Sequence, residues 1–259
     1  MAALVGYIVV AAVRIVGRQR RRWVSVIAEV ILWLGLLLHL AGLSSMAFVA
    51  GALPVHTPGA SIALLASAIA LAAGFLRFRA RTEVLSGVLI SLAAVMLGTS
   101  MLLPQGGSQG DSMLGTVWFP IHALGVFVGM ASFACAFVVS SLYLVVRKQL
   151  KTKQLGNLGR LPSLEGLDRL NTRFVVAGFL ALTIGIAAGG AWAASVGGGS
   201  GLGPTVSVTL ALWGWYAVAV LVRVVGRWRG RLAAAFSCGG FLGMVVSLGV
   251  VMTLLHGWH

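Results

Sequence analysis

Apolar runs of about 20 residues, each closed at one end by a cluster of arginine or lysine, recur along the whole chain, and this alternation admits few folds. At 1.5 Å per residue such a run crosses the roughly 30 Å hydrocarbon core of a bilayer as a helix, which satisfies its backbone hydrogen bonds from within. Eight runs qualify, at about 1–17, 23–43, 59–77, 84–103, 119–146, 172–195, 205–226 and 232–255. The pattern predicts an all-α polytopic membrane protein, a bundle of about eight transmembrane helices forming a single transmembrane helical domain over residues 1–259. Only 9% of residues are charged and 59% are hydrophobic, so no stretch has the mixed composition of a soluble domain.

All 19 lysines and arginines fall at alternate turn-backs, around residues 14–22, 77–81, 147–173 and 223–231. The positive-inside rule makes that side cytoplasmic and leaves both termini outside. The formal charge of +14 is thereby a topology signal, not a nucleic-acid footprint. The first run has no basic residues before it and arginines after it, the reverse of a secretory signal, so it is expected to persist as a helix. Cys135 and Cys238 lie in apolar segments outside any CxxC and read as packing residues.

The long inner connection 147–173 carries Leu161, Leu164, Leu167 and Leu170 beside Glu165, Asp168 and Arg169, with Ser163 after Pro162 as an N-cap. Glu165 and Arg169 form a favourable i,i+4 pair, and the segment reads as a short helix on the inner membrane surface. GxxxG spacings at Gly125/Gly129, Gly185/Gly189 and Gly239/Gly243 predict close approach of the fifth, sixth and eighth spans.

The five histidines are one-sided too. His56 is in the first outer loop, His122 opens the fifth span at its outer edge, His256 and His259 close the eighth, and His39 sits about 6 Å below the outer end of the second. Neutral imidazole is the commonest metal ligand and the usual axial ligand of haem. At a membrane interface a histidine is also easily satisfied by water or a loop carbonyl. That bland reading suits His56 and His259, while for His122 and His256 ligand and packing roles both stay open. His39 is a functional residue by position, and Glu29, deeper in the same span, calls for an inner arginine such as Arg77 or Arg79. Trp118, Trp192, Trp213, Trp215 and Trp258 lie toward the outer half, as an aromatic belt or a ring-stacking site would have them. No GxxxxGK[ST] or HExxH occurs and the outer face has one carboxylate, Asp111, which argues against a classical enzyme of hydrolytic type. Midplane ionisable pairs of the kind a secondary transporter needs are missing as well.

The segments LPSLEGLDRLNTRFVVAGFLALTIGIAAGGAWA (161–193), LWGWYAVAVLVRVVGRWRGRLAAAFSCGGF (212–241) and WFPIHALGVFVGMASFACAFVVSSLYLV (118–145) resemble, in that family's order of parts, the CcsA/CcmC cytochrome c assembly proteins, in particular the CcsA-like and HemX-like branch. The likeness is best over 118–259. It implies that His122 and His256 are outer axial ligands of haem iron, that His39 is a histidine held within the bilayer, and that the cofactor is haem b. It further implies haem handling for cytochrome c biogenesis at the outer face of the cytoplasmic (inner) membrane, with a cytochrome c synthesis partner subunit and apocytochrome c as partners, and no nucleic acid. One departure stands out: where the family has a tryptophan-rich WG..W.WDP loop, this chain has VGGGSGLGP at 196–204. HemX-like regulators of glutamyl-tRNA reductase are the alternative that this departure raises.

Overall fold

The computed structural model describes residues 1–16, 22–50, 57–80, 83–103, 117–153, 162–195, 203–224, 226 and 230–256, without the side chains of a few helix-end positions, notably 248–256. The described residues form helices and short turns: α1 (Ala2–Val16), α2 (Arg22–Ala50), α3 (Pro58–Ala80), α4 (Glu83–Leu102), α5 (Trp118–Lys151), α6 (Leu164–Ser195), α7 (Pro204–Val224) and α8 (Arg231–His256). Six of them are long and apolar enough to cross a membrane, α2 to α7; the apolar stretches Ala2–Ile15 and Arg231–Ser247 are shorter. The protein is a multi-pass membrane protein, with its helices where the apolar runs predict them.

Three helices outrun their expected spans by more than a turn, α2 by running on to Ala50 and α5 and α6 into charged sequence. α6 is continuous from Leu164, so the expected surface helix over 161–170 is instead its first turns. Ser163 caps it by accepting the Gly166 N–H at 3.1 Å, and Arg169 meets Glu165 at 2.7 Å. Leucines every three residues there mark the inward stripe of one long helix, with Leu167 fully buried. At 32 residues, about 48 Å, α6 exceeds the hydrocarbon thickness, and the excess is the charged part. α5 likewise runs on to Lys151, where Thr152 closes it through its backbone N–H and hydroxyl on the Lys148 carbonyl.

The chain divides into two compact units, one of residues 1–115 with 156–162 and one of 116–155 with 163–259. In the first, α4 packs on α1 and α3, and α2 on α1 and α3. Its polar heart lies where the basic ends of these helices gather. Arg14, 1% exposed, reaches Glu29 at 2.6 Å and donates to Ser86, which in turn donates to the Ala73 carbonyl at 2.8 Å. Arg77 adds contacts to Glu29 at 3.5 Å and Glu83 at 3.3 Å and donates to Ser25, and the Trp33 indole donates to Glu29 at 3.0 Å. Glu29 therefore has the arginine expected for it, Arg77, and a closer one, Arg14. Two arginines and two carboxylates leave the cluster neutral, the condition under which charge survives inside an apolar body.

In the second unit α5 lies along α6 and against α8, while α7 packs on α6 and α8. A second polar knot ties the four. Arg223 donates to the Thr172 hydroxyl at 2.8 Å and lies 4.0 Å from Asp168; Asn171 donates to Ser140 at 2.6 Å, and Ser237 donates to Asn171 at 3.0 Å. Gly230, at φ 78°, enters α8 by giving its N–H to Asp168 at 3.2 Å, and the Tyr143 hydroxyl stands 2.9 Å from where a Cβ would be. Position and backbone thus both exclude a side chain at 230.

The glycine spacings divide by role. A Cβ on Gly125 would lie 2.7 Å from the Gly185 Cα, and one on Gly185 would lie 2.9 Å from the Val126 nitrogen, so α5 and α6 touch backbone to backbone as predicted. Gly178 admits the Phe133 ring, which stacks on Tyr216 of α7 with centroids 3.5 Å apart. α8 does pack on α5, but not through its glycines: Gly239 and Gly240 receive Trp215 of α7, and among the described residues nothing approaches the Cβ position of Gly243 within 4 Å. Large rings on α7 fill the space that sequence spacing alone assigns to another helix.

Removing one partner of a buried ion pair costs on the order of 3–5 kcal/mol, because the other is left uncompensated. Glu29→Leu should therefore lower the apparent Tm of the detergent-solubilised protein by many degrees. Adding Arg14→Leu should recover much of the loss, since Arg77 retains Glu83. A double variant no more stable than Glu29→Leu would show that the cluster is not held by charge balance.

Candidate functional site

The second unit builds a defined imidazole at the end opposite its basic knot. α5 starts at Trp118 with Pro120 in its first turn, where a missing N–H breaks no helical bond. His122 follows one turn in, half-buried against α6. Its Nδ1 lies 2.8 Å from the Gly185 carbonyl oxygen. A carbonyl only accepts, so Nδ1 carries the proton and donates it, and in the neutral ring Nε2 is left with a free lone pair. That is the tautomer a metal ligand requires, and a backbone carbonyl on the second nitrogen is the usual way to fix it.

Two further features of α6 hold the ring. A Cβ at Gly189 would stand 2.6 Å from Nδ1 and 3.0 Å from Cε1, so only glycine permits His122 to lie there. Trp192 lies roughly parallel to the imidazole at 6.3 Å between centroids, and Phe119 packs against Trp192 at 5.1 Å. The GxxxG at Gly185/Gly189 thus serves two contacts, the first residue meeting α5 backbone and the second meeting an α5 side chain. Sequence spacing shows the small residues but not that one of them seats a histidine.

His256 ends α8, and its side chain is outside the described residues. Its level is nevertheless fixed by register. α5 and α8 meet at Phe137 and Phe241, whose rings stack at 4.7 Å, and a turn deeper Ser141 lies 3.9 Å from the Cys238 sulfur. On antiparallel helices, 15 residues back from Phe137 and 15 forward from Phe241 both amount to about 22 Å along the axis. Those steps end at His122 and His256, so the two residues stand at one depth on helices that are neighbours.

His39 belongs to the first unit. It is 6% exposed, with Nδ1 3.2 Å from the Tyr7 hydroxyl and, among the described residues, no hydrogen-bond partner for Nε2. His56 and His259 are outside the described residues, as are 196–202 of the glycine-rich loop, residues 104–116 with Asp111, and 154–161 of the inner connection. Among the described residues no three His, Cys, Asp or Glu side chains converge as a metal cage. Single imidazoles are the available donors, and a porphyrin, which supplies four ligands itself, needs no more than these. The indoles of Trp213 and Trp215 donate to Thr183 at 2.9 Å and to the Phe236 carbonyl at 3.1 Å, with Trp215 still exposed along α7. Both cysteines are free thiols; Cys135 is buried, as expected of a packing residue.

Comparison with known proteins gives one consistent result. Residues 56–259 match the family described as "Cytochrome C assembly protein". Relatives named "Cytochrome c biogenesis protein CcsA" include one from Prochlorococcus marinus (strain NATL2A), 26% identical over 243 residues that cover 81% of this chain and 76% of that protein. One from Trieres chinensis is 23% identical over 77% of this chain and 74% of the relative. A third, from Chlamydomonas reinhardtii, is 25% identical over 64% of this chain and 48% of its own length.

Gly189→Ala should displace the His122 ring and break its bond to Gly185, whereas Gly190→Ala, with nothing among the described residues within 4 Å of its Cβ position, should be silent. Nitrogen-15 spectra of the histidine-labelled protein read the tautomer directly. The His122 signals should leave the Nδ1-protonated pattern in the first variant only. Unchanged signals in Gly189→Ala would contradict the seating described above.

Proposed function

This chain belongs to the cytochrome c assembly protein family, and from that premise we propose that it binds haem and handles it for cytochrome c biogenesis. The observation that carries the reading is the His122 imidazole, whose Nδ1–H is committed to the Gly185 carbonyl at 2.8 Å and whose Nε2 is thereby a lone-pair donor. His256, level with His122 on the adjacent helix, is the proposed second axial ligand. His39, with its buried and unpartnered Nε2, is the proposed ligand of a haem within the bilayer. The cofactor is haem b, held at His122 and His256 on the outer side.

When bound, the haem itself supplies the chemistry of attachment to apocytochrome thiols. The chain's part is to bind, orient and poise it. The Gly185 carbonyl raises the basicity of His122 and fixes its plane, Gly189 leaves room for the ring, and Trp192 and Phe119 wall it with aromatic surface. Apocytochrome c, a cytochrome c synthesis partner subunit and the lipid bilayer are the proposed partners. The proposed place is the cytoplasmic membrane, both termini and the ligand pair facing outward, in accord with the one-sided basic residues.

In cells that depend on this chain, His122→Ala with His256→Ala should abolish covalent haem in c-type cytochromes, read as loss of haem-stained bands, with the variant still present in the membrane. Arg160→Glu with Arg169→Glu, on the inner side, should leave those bands intact. Normal holocytochrome in the histidine variant, together with deregulated haem synthesis in the arginine variant, would overturn this proposal in favour of a regulator of glutamyl-tRNA reductase.

A further inference from the structure

The first unit contains a pair that family likeness does not explain. Tyr7 of α1 is fully buried, its ring lying against the backbone of Gly35 on α2, where a Cβ would be 3.5 Å from the Tyr7 Cε1. His39 is one turn further along the same face of α2, and the Tyr7 hydroxyl is 3.2 Å from its Nδ1. The rings are tilted at 60°, with centroids 6.0 Å apart, so the contact is made by the polar edges and not by stacking.

Consider the protons. A neutral phenol and a neutral imidazole carry two acidic hydrogens among three polar atoms, and the three share one hydrogen bond. His39 Nε2 is left with no partner among the described residues. Either it is an N–H without an acceptor or a lone pair without a donor, and an orphaned buried group of this kind is destabilising until something pairs with it. If Nε2 holds the proton, Tyr7 donates to Nδ1. If a metal takes the Nε2 lone pair, the proton resides on Nδ1 and Tyr7 accepts it. One hydroxyl serves both states because oxygen can donate and accept, which a carbonyl or an amide N–H in its place could not.

We infer that Tyr7 is a positioning residue for His39: its hydroxyl holds the ring edge-on with Nε2 presented for ligation, and it accepts the Nδ1 proton when Nε2 is occupied. This rests on the proposal that His39 ligates haem. The step conserves protons, since one hydrogen leaves Nε2 and one appears on Nδ1, while Tyr7 changes from donor to acceptor and ends with its own O–H intact. His39 thereby differs from His122, whose carbonyl partner locks a single tautomer in advance.

The test uses the full-length protein carrying His122→Ala and His256→Ala, so that the outer pair does not contribute, titrated with haemin and followed by the Soret band. Adding His39→Ala should remove saturable binding. Adding Tyr7→Phe, which keeps the buried ring, should weaken binding 10- to 100-fold, the usual effect of losing an outer-shell partner, and shift the iron–imidazole stretching band. Tyr7→Phe with unchanged affinity and band, while His39→Ala abolishes binding, would overturn the role of Tyr7 and leave ligation by His39 standing. His39→Ala binding as before would remove both. A measurement independent of the variants' folding is the nitrogen-15 spectrum of His39 on adding diamagnetic zinc protoporphyrin. Protonation should move to Nδ1, and an Nδ1 that stays unprotonated in the bound form would equally overturn the inference.

Discussion

The close approach of α5 and α6 at Gly125 and Gly185 is the contact on which the site depends. Between apolar helices in lipid there is no hydrophobic drive to associate, so affinity comes from how closely backbones can fit. Here a methyl group on Gly185 would fall 2.9 Å from the Val126 nitrogen. The same proximity brings the Gly185 carbonyl into hydrogen-bond range of His122, one turn earlier on α5. Helix packing and ligand chemistry are therefore a single event. A wider spacing would cost stability and also release the imidazole to either tautomer.

Polar groups are distributed with the same logic in each unit. Near the basic ends, arginines are buried only beside carboxylates and hydroxyls: Arg14 and Arg77 with Glu29 and Glu83, Arg223 with Asp168, Thr172 and Ser237. These knots join helices distant in sequence and set each cation beside an anion, with the Arg223 Nε left without a partner among the described residues. Toward the opposite ends stand two imidazoles, His122 with a free lone pair and His39 with a nitrogen that has no partner among the described residues. Saturated polar clusters rigidify, whereas unsaturated ones are open to a ligand. The contrast gives each unit a structural end and a chemical end.

Much of this is legible in the sequence because the bilayer enforces simple rules. Helix existence follows from run length, and the pairing of Glu29 with Arg77 follows from the cost of an isolated carboxylate in an apolar span. Arg14 as the closer partner is not legible, since it depends on how α1 lies against α2 and α4. The surface helix expected at 161–170 is part of α6 because leucine periodicity cannot tell a separate helix from the first turns of a long one. The glycine motifs identify close contacts but not what enters them: a backbone at Gly185, an imidazole at Gly189, an indole at Gly240. Tyr7 is silent in sequence, a single aromatic in an apolar run. Its partner is 32 residues away, and the hydroxyl matters only through that partner.

Whether histidines at the outer end ligate haem is read from the absorption spectrum of the protein purified from membranes. A Soret band with the sharp reduced α and β bands of bis-imidazole haem, lost on changing His122 and His256 to alanine, is the predicted result. A folded protein that carries no haem and does not bind added haemin, from cells that still mature cytochrome c through it, would contradict that ligation.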